Sequence, residues 1–266
     1  MCELLAMSSR RPTQLNFSLQ TLAAHSGRTS MTRDGWGVAF YQGNDVALFR
    51  EPMAASDSPL VRFLQSQGPS TTLAISHIRH ATRGALNLSN TQPFVRELNG
   101  RTHVFAHNGN LAGIERAASL AFDRYRPVGT TDSEHAFCAL LERLHDLWSP
   151  ASSPPPVAKR QSVIAEFAAD LRKLGPANFL YSDGEMLFAH GHRRIQPTTG
   201  HIAPPGLWLW SCHCDYPGEP VHASGVTVAP GFQEMILVAS VPLTPEAWRP
   251  LEEGELVAMS EGRLVR

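Results

Sequence analysis

Almost nothing in this 266-residue sequence is in excess. The 23 basic side chains nearly cancel the 24 acidic ones, leaving a formal net charge of −1. A chain so balanced carries no electrostatic footprint for nucleic acid or for an anionic membrane surface. No stretch approaches the ~18–20 apolar residues of a transmembrane helix. The opening MCELLAMSSRRPTQLNF has only a short apolar stretch and no basic segment before it, so it does not read as a secretory signal. The four cysteines, Cys2, Cys138, Cys212 and Cys214, are too few and too scattered for a disulfide framework. A reduced, cytoplasmic protein is expected. The sequence has no internal repeat and no GxxxxGK[ST] or GxGxxG loop, so nothing suggests nucleotide binding.

What remains is ordinary globular material, 42% hydrophobic and 18% charged, with room for a sizeable core. Leu15, Leu19 and Leu22 fall at i, i+4, i+7, and this spacing predicts an amphipathic helix over 12–24. Asp34-Gly35-Trp36-Gly37 feeds a strand that Val46–Phe49 answers after a turn. Ser58-Pro59 opens a short helix through Leu64. Strands are predicted at Thr71–Arg79 and Thr102–Ala106. The clearest helix runs over 131–148, with Phe137, Leu140, Leu141, Leu144 and Trp148 on one face and Thr131 and Asp132 as N-cap oxygens. A proline-rich tract at 149–157 reads as a stiff surface connection. A further helix carries Val163, Ile164, Phe167 and Leu171 and stops at Gly175-Pro176. Hairpin-like strands follow to the end, at Ala177–Tyr181, Met186–Ala189, Leu207–Cys212, Val226–Ala229, Met235–Ser240, Leu256–Met259 and Leu264–Val265. Grouped hairpins with helices between them argue for an α+β fold. A single domain over 1–266 interrupted by a proline-rich loop is as compatible with this pattern as two domains.

Four polar constellations stand out. Cys2 is the first. With Met1 removed, one residue carries both a thiol of pKa ~8.5 and an α-amine of pKa ~7.7–8.0. The amine then serves as the base for its own thiol. The second is Ser76-His77-Ile78-Arg79-His80-Ala81-Thr82-Arg83-Gly84, in which an arginine at a strand end offers a fork for a carboxylate. The third is His107-Asn108-Gly109-Asn110, a plain turn or an oxyanion hole. The fourth is Gly129-Thr130-Thr131-Asp132-Ser133-Glu134, a helix cap or a carboxylate for an ammonium group. Together they supply the parts for cleaving an amide attached to a free amino-acid end. Cys2 attacks, Asn108 and Gly109 hold the oxyanion, and Arg79 and Asp132 clamp a zwitterion. Glutamine, or a γ-glutamyl group, presents that end with an amide at the right distance.

The ordered series Met1-Cys2, Asp34-Gly35-Trp36-Gly37, His77-Ile78-Arg79-His80-Ala81-Thr82-Arg83-Gly84, Asn90-Thr91-Gln92-Pro93-Phe94, His107-Asn108-Gly109-Asn110-Leu111 and Thr131-Asp132-Ser133-Glu134 resembles class II glutamine amidotransferases of the N-terminal-nucleophile (Ntn) hydrolase superfamily. Within them it is similar to the stand-alone YafJ-like branch. The later segments Leu237–Leu243 and Glu253-Gly254-Glu255-Leu256 share the likeness. The resemblance implies a four-layer αββα sandwich with two stacked, mainly antiparallel sheets. It implies Cys2 as nucleophile, Asn108 and Gly109 as the oxyanion hole, Arg79 and Asp132 as clamps, and Thr82 as a further substrate contact.

Two positions depart from the relatives. Gln92 stands where histidine is common, and Val241 where glutamate is common. No cofactor or metal is expected. Cys212-His213-Cys214 lacks a second ligand pair, and His77 and His80 would point to opposite faces of a strand. The leading expectation is a thiol amidohydrolase acting on glutamine or a γ-glutamyl amide, either alone, as a homodimer, or as the ammonia-supplying subunit of a separate synthetase. The other is a catalytically silent protein that binds such a metabolite.

Overall fold

The structure, a computed structural model, describes residues 2–15, 34–80, 84–149, 153–216, 221–223, 226–228 and 231–265. In chain order its strands are β1 (Glu3–Gln14), β2 (Trp36–Gln42), β3 (Asp45–Glu51), β4 (Ser70–Ile78), β5 (Phe94–Leu98), β6 (Arg101–Gly109), β7 (Ala177–Ser182), β8 (Leu187–His190) and β9 (Arg194–Ile195). They continue as β10 (Ile202–Ala203), β11 (Trp208–Tyr216), β12 (Val221–Ala223), β13 (Val226–Val228), β14 (Gly231–Ala239), β15 (Arg249–Pro250), β16 (Leu256–Ser260) and β17 (Arg263–Val265). The described α-helices are α1 (Pro59–Gln67), α2 (Asp132–Trp148) and α3 (Val157–Arg172).

Two antiparallel sheets carry the fold. The first is ordered β15-β11-β14-β1-β4-β2-β3, with β12 and β13 attached beside β1. The second is ordered β17-β16-β8-β7-β6-β5. β1 lies at the centre of the first sheet, where Leu5 faces Ser76 of β4 on one side and Ala239 of β14 on the other. Successive residues of β1 face opposite ways, as a pleated strand requires. Leu4 and Ala6 join Ile75, Val104, Ala106, Leu180 and Val238, so this apolar layer lies between the sheets. Leu5 and Met7 join Trp36, Val38, Phe40, Val61 and Leu64, so the other face of the first sheet is covered by α1. The far face of the second sheet packs Phe105 and Phe179 against Phe137 and Leu140 of α2 and Phe167 of α3. The Phe105 and Phe137 rings stack at 5.4 Å. Helix, sheet, sheet and helix make the expected four-layer α+β sandwich.

Local signals set the helix starts. Ser58 accepts a hydrogen bond from the Val61 N–H at 3.1 Å, with Pro59 in the first turn. Thr131 accepts from the Glu134 N–H at 3.2 Å. The helix predicted over 12–24 is corrected at its start. Residues 12–14 end strand β1, where Gln14 pairs with Ser70 on β4 and Thr227 on β13. The backbone groups of that stretch are taken by ladder partners far along the chain, which local periodicity cannot register. The rest of that helix falls almost wholly outside the described residues. β5 was not foreseen either, although Asn99 and Gly100 both have positive φ and close a tight hairpin to β6. Both termini of the sandwich's inner strands matter below: β1 begins, and β6 ends, at the same place.

Candidate active site

Cys2 immediately precedes β1 in the first sheet, and Asn108-Gly109 ends β6 in the second. The two sheets are joined there by one hydrogen bond: Asn108 Nδ2 donates to the Cys2 carbonyl at 2.6 Å. The Cys2 thiol sits on the turn after β4. The His80 backbone N–H donates to Cys2 Sγ at 3.2 Å, and Sγ lies 3.4 Å from the His80 carbonyl. Burial pushes the thiol pKa up, while the His80 N–H, the positive amino terminus and the Arg79 charge pull it back down. A half-buried thiol with a raised pKa needs a base to become a nucleophile.

Asn108 is buried, and an amide nitrogen has two hydrogens. One is spent on the Cys2 carbonyl, which leaves the second for an oxygen in the adjoining space. Gly109 is glycine for a steric reason: a Cβ would lie 1.8 Å from the Pro176 carbonyl oxygen. Cys2, His80, Asn108, Gly109 and Asn110 line one side of a cavity of about 390 Å³. Pro176, Arg193, Arg194, Ile195 and Ile202 line the other.

Three supports hold this strand end. Gln92 is buried and uses both ends of its amide on one residue: Nε2 donates to the His107 carbonyl at 3.2 Å, and Oε1 accepts from the His107 N–H at 2.6 Å. Asn178, buried on β7 opposite Asn108, donates to the Asn108 carbonyl at 3.1 Å and to the Arg193 carbonyl at 2.7 Å. Its Oδ1 accepts from the His192 N–H at 2.7 Å. On the nucleophile's side, Glu3 forms a buried, two-pronged ion pair with Arg194, 2.8 Å at its shorter contact. Gln92 thus braces the end of β6 that carries Asn108 and Gly109. Val241 lies in the apolar cluster that also holds Val61 and Leu64 of α1.

The expected clamps are placed differently. Arg79 is buried one residue before His80, and its guanidinium donates to the carbonyls of Ala85 at 3.1 Å and Gly84 at 3.2 Å. Asp132 begins α2, and its carboxylate accepts from the Leu111 N–H at 2.8 Å and the Ser133 N–H at 2.9 Å. It lines a separate cavity of about 240 Å³ with Gly129, Thr130 and His135. The structure therefore brings Cys2, Asn108 and Gly109 to one cavity, and puts Arg79 and Asp132 on segments flanking it but not on its wall. Thr82 lies outside the described residues. Sequence reasoning missed the whole opposite wall, Pro176 and 193–202, together with Glu3 and Asn178. Only Asn178 left a signal, as a polar residue in an otherwise apolar strand.

No cluster of three metal-ligating side chains occurs among the described residues. Cys212 is disulfide-bonded, contrary to the all-reduced expectation, and so cannot serve as a metal ligand. No described helix is long and apolar enough to cross a membrane.

Comparison with known proteins gives the same assignment. The family model for class II glutamine amidotransferases matches residues 1–266. YafJ of Escherichia coli K12, named as a glutamine amidotransferase, is 37% identical over 259 residues, 96% of each chain. A glutamine amidotransferase of Haemophilus influenzae Rd is 32% identical, covering all of this chain and 86% of its own. The 2.0 Å crystal structure of a glutamine amidotransferase from Pseudomonas aeruginosa aligns over 100% of both chains with TM-score 0.69 and 32% identity. Glutamine phosphoribosylpyrophosphate amidotransferase of B. subtilis shares the fold alone, at 16% identity and TM-score 0.60 over 48% of its chain. A cysteine at the start of β1, facing an Asn-Gly pair at the end of β6, is thus set in the framework of the family to which this chain belongs, the class II glutamine amidotransferases, which act on glutamine or γ-glutamyl substrates.

Proposed function

We propose that Cys2, once Met1 is removed, is the nucleophile of a γ-glutamyl amide hydrolase, with Asn108 and Gly109 as its oxyanion hole. The observation that carries this reading is the 2.6 Å hydrogen bond from Asn108 Nδ2 to the Cys2 carbonyl, at the edge of a cavity that both residues line. It fixes the Asn108 amide beside the residue that attacks, and in the transition state the negative charge develops on the oxygen of the attacked carbonyl. The α-amine of the processed Cys2 takes the thiol proton. Sγ adds to the γ-carbonyl carbon, and the oxyanion is held by the second Asn108 N–H and the Gly109 N–H. The C–N bond breaks as the leaving nitrogen takes up that proton. Water then attacks the thioester, releasing glutamate and restoring the thiol.

Arg79 and Asp132 are assigned to the α-carboxylate and α-ammonium of the glutamyl group, with Thr82 as an added contact. On binding, Arg79 would exchange its Gly84 and Ala85 carbonyl partners for a carboxylate, a stronger charge-assisted acceptor. The whole chain serves as one catalytic domain in this reading, since the nucleophile, the oxyanion hole and the far wall of the cavity come from residues 2, 108–109 and 176–202. This reading requires Cys2 as a thiol, and Cys2 is a free cysteine in the structure. The test is incubation with an electrophilic glutamine analogue, followed by intact-mass and peptide analysis. Label is expected on Cys2 of the Met1-free chain alone. Cys2→Ala should keep its circular dichroism and lose turnover. Label elsewhere, or full activity in Cys2→Ala, would sink the mechanism.

A further inference from the structure

The cavity beside Cys2 is far larger than ammonia needs. A water molecule, similar in size, occupies about 30 Å³ in the liquid, whereas this space measures about 390 Å³. Neither assigned clamp, Arg79 nor Asp132, is on its wall. On the clamp assignment proposed above, the free end of the glutamyl group is held off this cavity, which leaves the cavity to the departing nitrogen.

Its outer wall is the hairpin of β9 and β10. Ile195 and Ile202 are cross-strand partners there and are 42% and 56% exposed. Two exposed isoleucines facing each other at a cavity mouth leave apolar surface to water, at a cost that an apolar ligand would remove. The hairpin is firmly seated. Gln196 Nε2 donates to the Ala203 carbonyl at 2.6 Å, and the Gln196 N–H donates to the His201 carbonyl at 2.9 Å. Arg194 at its base is ion-paired to Glu3, the neighbour of the nucleophile. The wall thus keeps its register with Cys2.

Charge gives the second half of the occupant. The lining of this cavity includes Arg193 and Arg194 and no acidic residue. Pro176, Arg193 and Ile202 also line a second cavity of about 650 Å³, which continues the groove to Arg172, His192 and Glu253. Arg193 is half exposed and is ion-paired at 2.6 Å with Glu253, which lines the second cavity but not the first. A carboxylate entering the first cavity, whose lining holds no acid, would share Arg193 with Glu253.

We propose that this groove binds the amine half of the substrate, and that this half is an apolar amine bearing a carboxylate. A γ-glutamyl dipeptide with an aliphatic second residue has that chemistry. The proposal rests on the reading of Cys2 as nucleophile given above. The Sγ–C bond forms as the γ-amide C–N bond breaks. The departing nitrogen takes the thiol proton, and a free aliphatic amino acid leaves along the groove. Water then cleaves the thioester to glutamate.

The experiment uses the Met1-free enzyme with three substrates: glutamine, γ-glutamyl-leucine, and γ-glutamyl-isopentylamide, which has the same aliphatic chain without the carboxylate. Expected is a kcat/KM for γ-glutamyl-leucine about tenfold or more above that for glutamine, the factor that partial burial of one aliphatic side chain supplies. γ-Glutamyl-isopentylamide should fall between them. Ile202→Ser should lower the leucine-to-glutamine ratio by about fivefold or more, and Arg193→Gln should narrow the gap between the leucine and isopentylamide substrates. Glutamine turned over as well as the dipeptide, or a ratio unmoved by Ile202→Ser, overturns the inference while leaving Cys2 hydrolysis standing. No turnover of any of the three overturns the proposed function and this inference with it.

Discussion

At the residue scale, the site depends on one side chain doing two things at once. Asn108 Nδ2 ties the first sheet to the second through the Cys2 carbonyl, and in the proposed mechanism its remaining hydrogen holds the oxyanion. Asn108→Ala removes both. Loss of one oxyanion donor typically costs ~10²–10³ in rate, so kcat should fall by about that factor with KM little changed. Steady-state kinetics on glutamine check this, and a change confined to KM would assign Asn108 to binding alone. Asn108, Gly109 and Cys2 were readable from the sequence because short motifs carry them. Glu3 was not, because a glutamate next to a leucine run looks like a surface charge. Its partner Arg194 lies 191 positions away.

At the scale of elements, β6 is held on both sides near its catalytic end. β7 supplies a ladder and the Asn178 side chain. On the other side the regular β5 pairing begins only at Phe94 opposite Phe105. The Gln92 amide continues it, pairing with both backbone groups of His107 in place of a strand. Gln92→Ala leaves a buried N–H and a buried carbonyl without partners, each worth ~1–3 kcal/mol. The expected outcome is a lower urea midpoint together with a kcat loss, since the residue next to His107 is the proposed oxyanion donor. Gln92→His, which keeps ring nitrogens able to donate and accept there, should recover part of both. A stability loss with unaltered kcat would show that β6 holds its end without this brace. At this scale the amphipathic helices α2 and α3 and most hairpins were legible, because their patterns are local. β1 was not. Its residues from Glu3 to Ser9 are all buried, so no alternation marks it as a strand, and the periodicity after it suggested a helix.

At the scale of the whole molecule, the layers bury several imidazoles as neutral rings. Burial pushes His77, His103 and His190 down to about 3. In the unfolded chain the same groups titrate near ~6.5. Their folded pKa is depressed, so their contribution to stability is fully present above ~6.5 and is lost as pH falls toward 3. Between these values the unfolded chain binds protons that the folded one refuses. Each ring contributes at most about 1.4 kcal/mol per pH unit over that window. Urea midpoints should therefore decline steadily from pH 7 to pH 4.5, and the His77 ring resonances should show no titration above pH 5. A His77 titration near pH 6.5 would mean that the ring takes its proton without leaving the fold.

The sequence by itself determined the family and the architectural class. A terminal thiol, an Asn-Gly pair and an Arg and Asp at element ends are local choices, and each was visible as a motif in a fixed order. Hairpin grouping with two helical patterns likewise pointed to α+β, because hydrophobic period is local. Only the tertiary structure decided which of these residues share a cavity. It set Cys2 against Asn108 through the meeting of two sheets, and it placed Asp132 on a different cavity. It also raised the wall of Arg193, Arg194, Ile195 and Ile202 beside a nucleophile nearly two hundred residues distant. Such contacts follow from strand register and sheet stacking, and these are fixed by summed pairings across the whole chain, which no single stretch of it records.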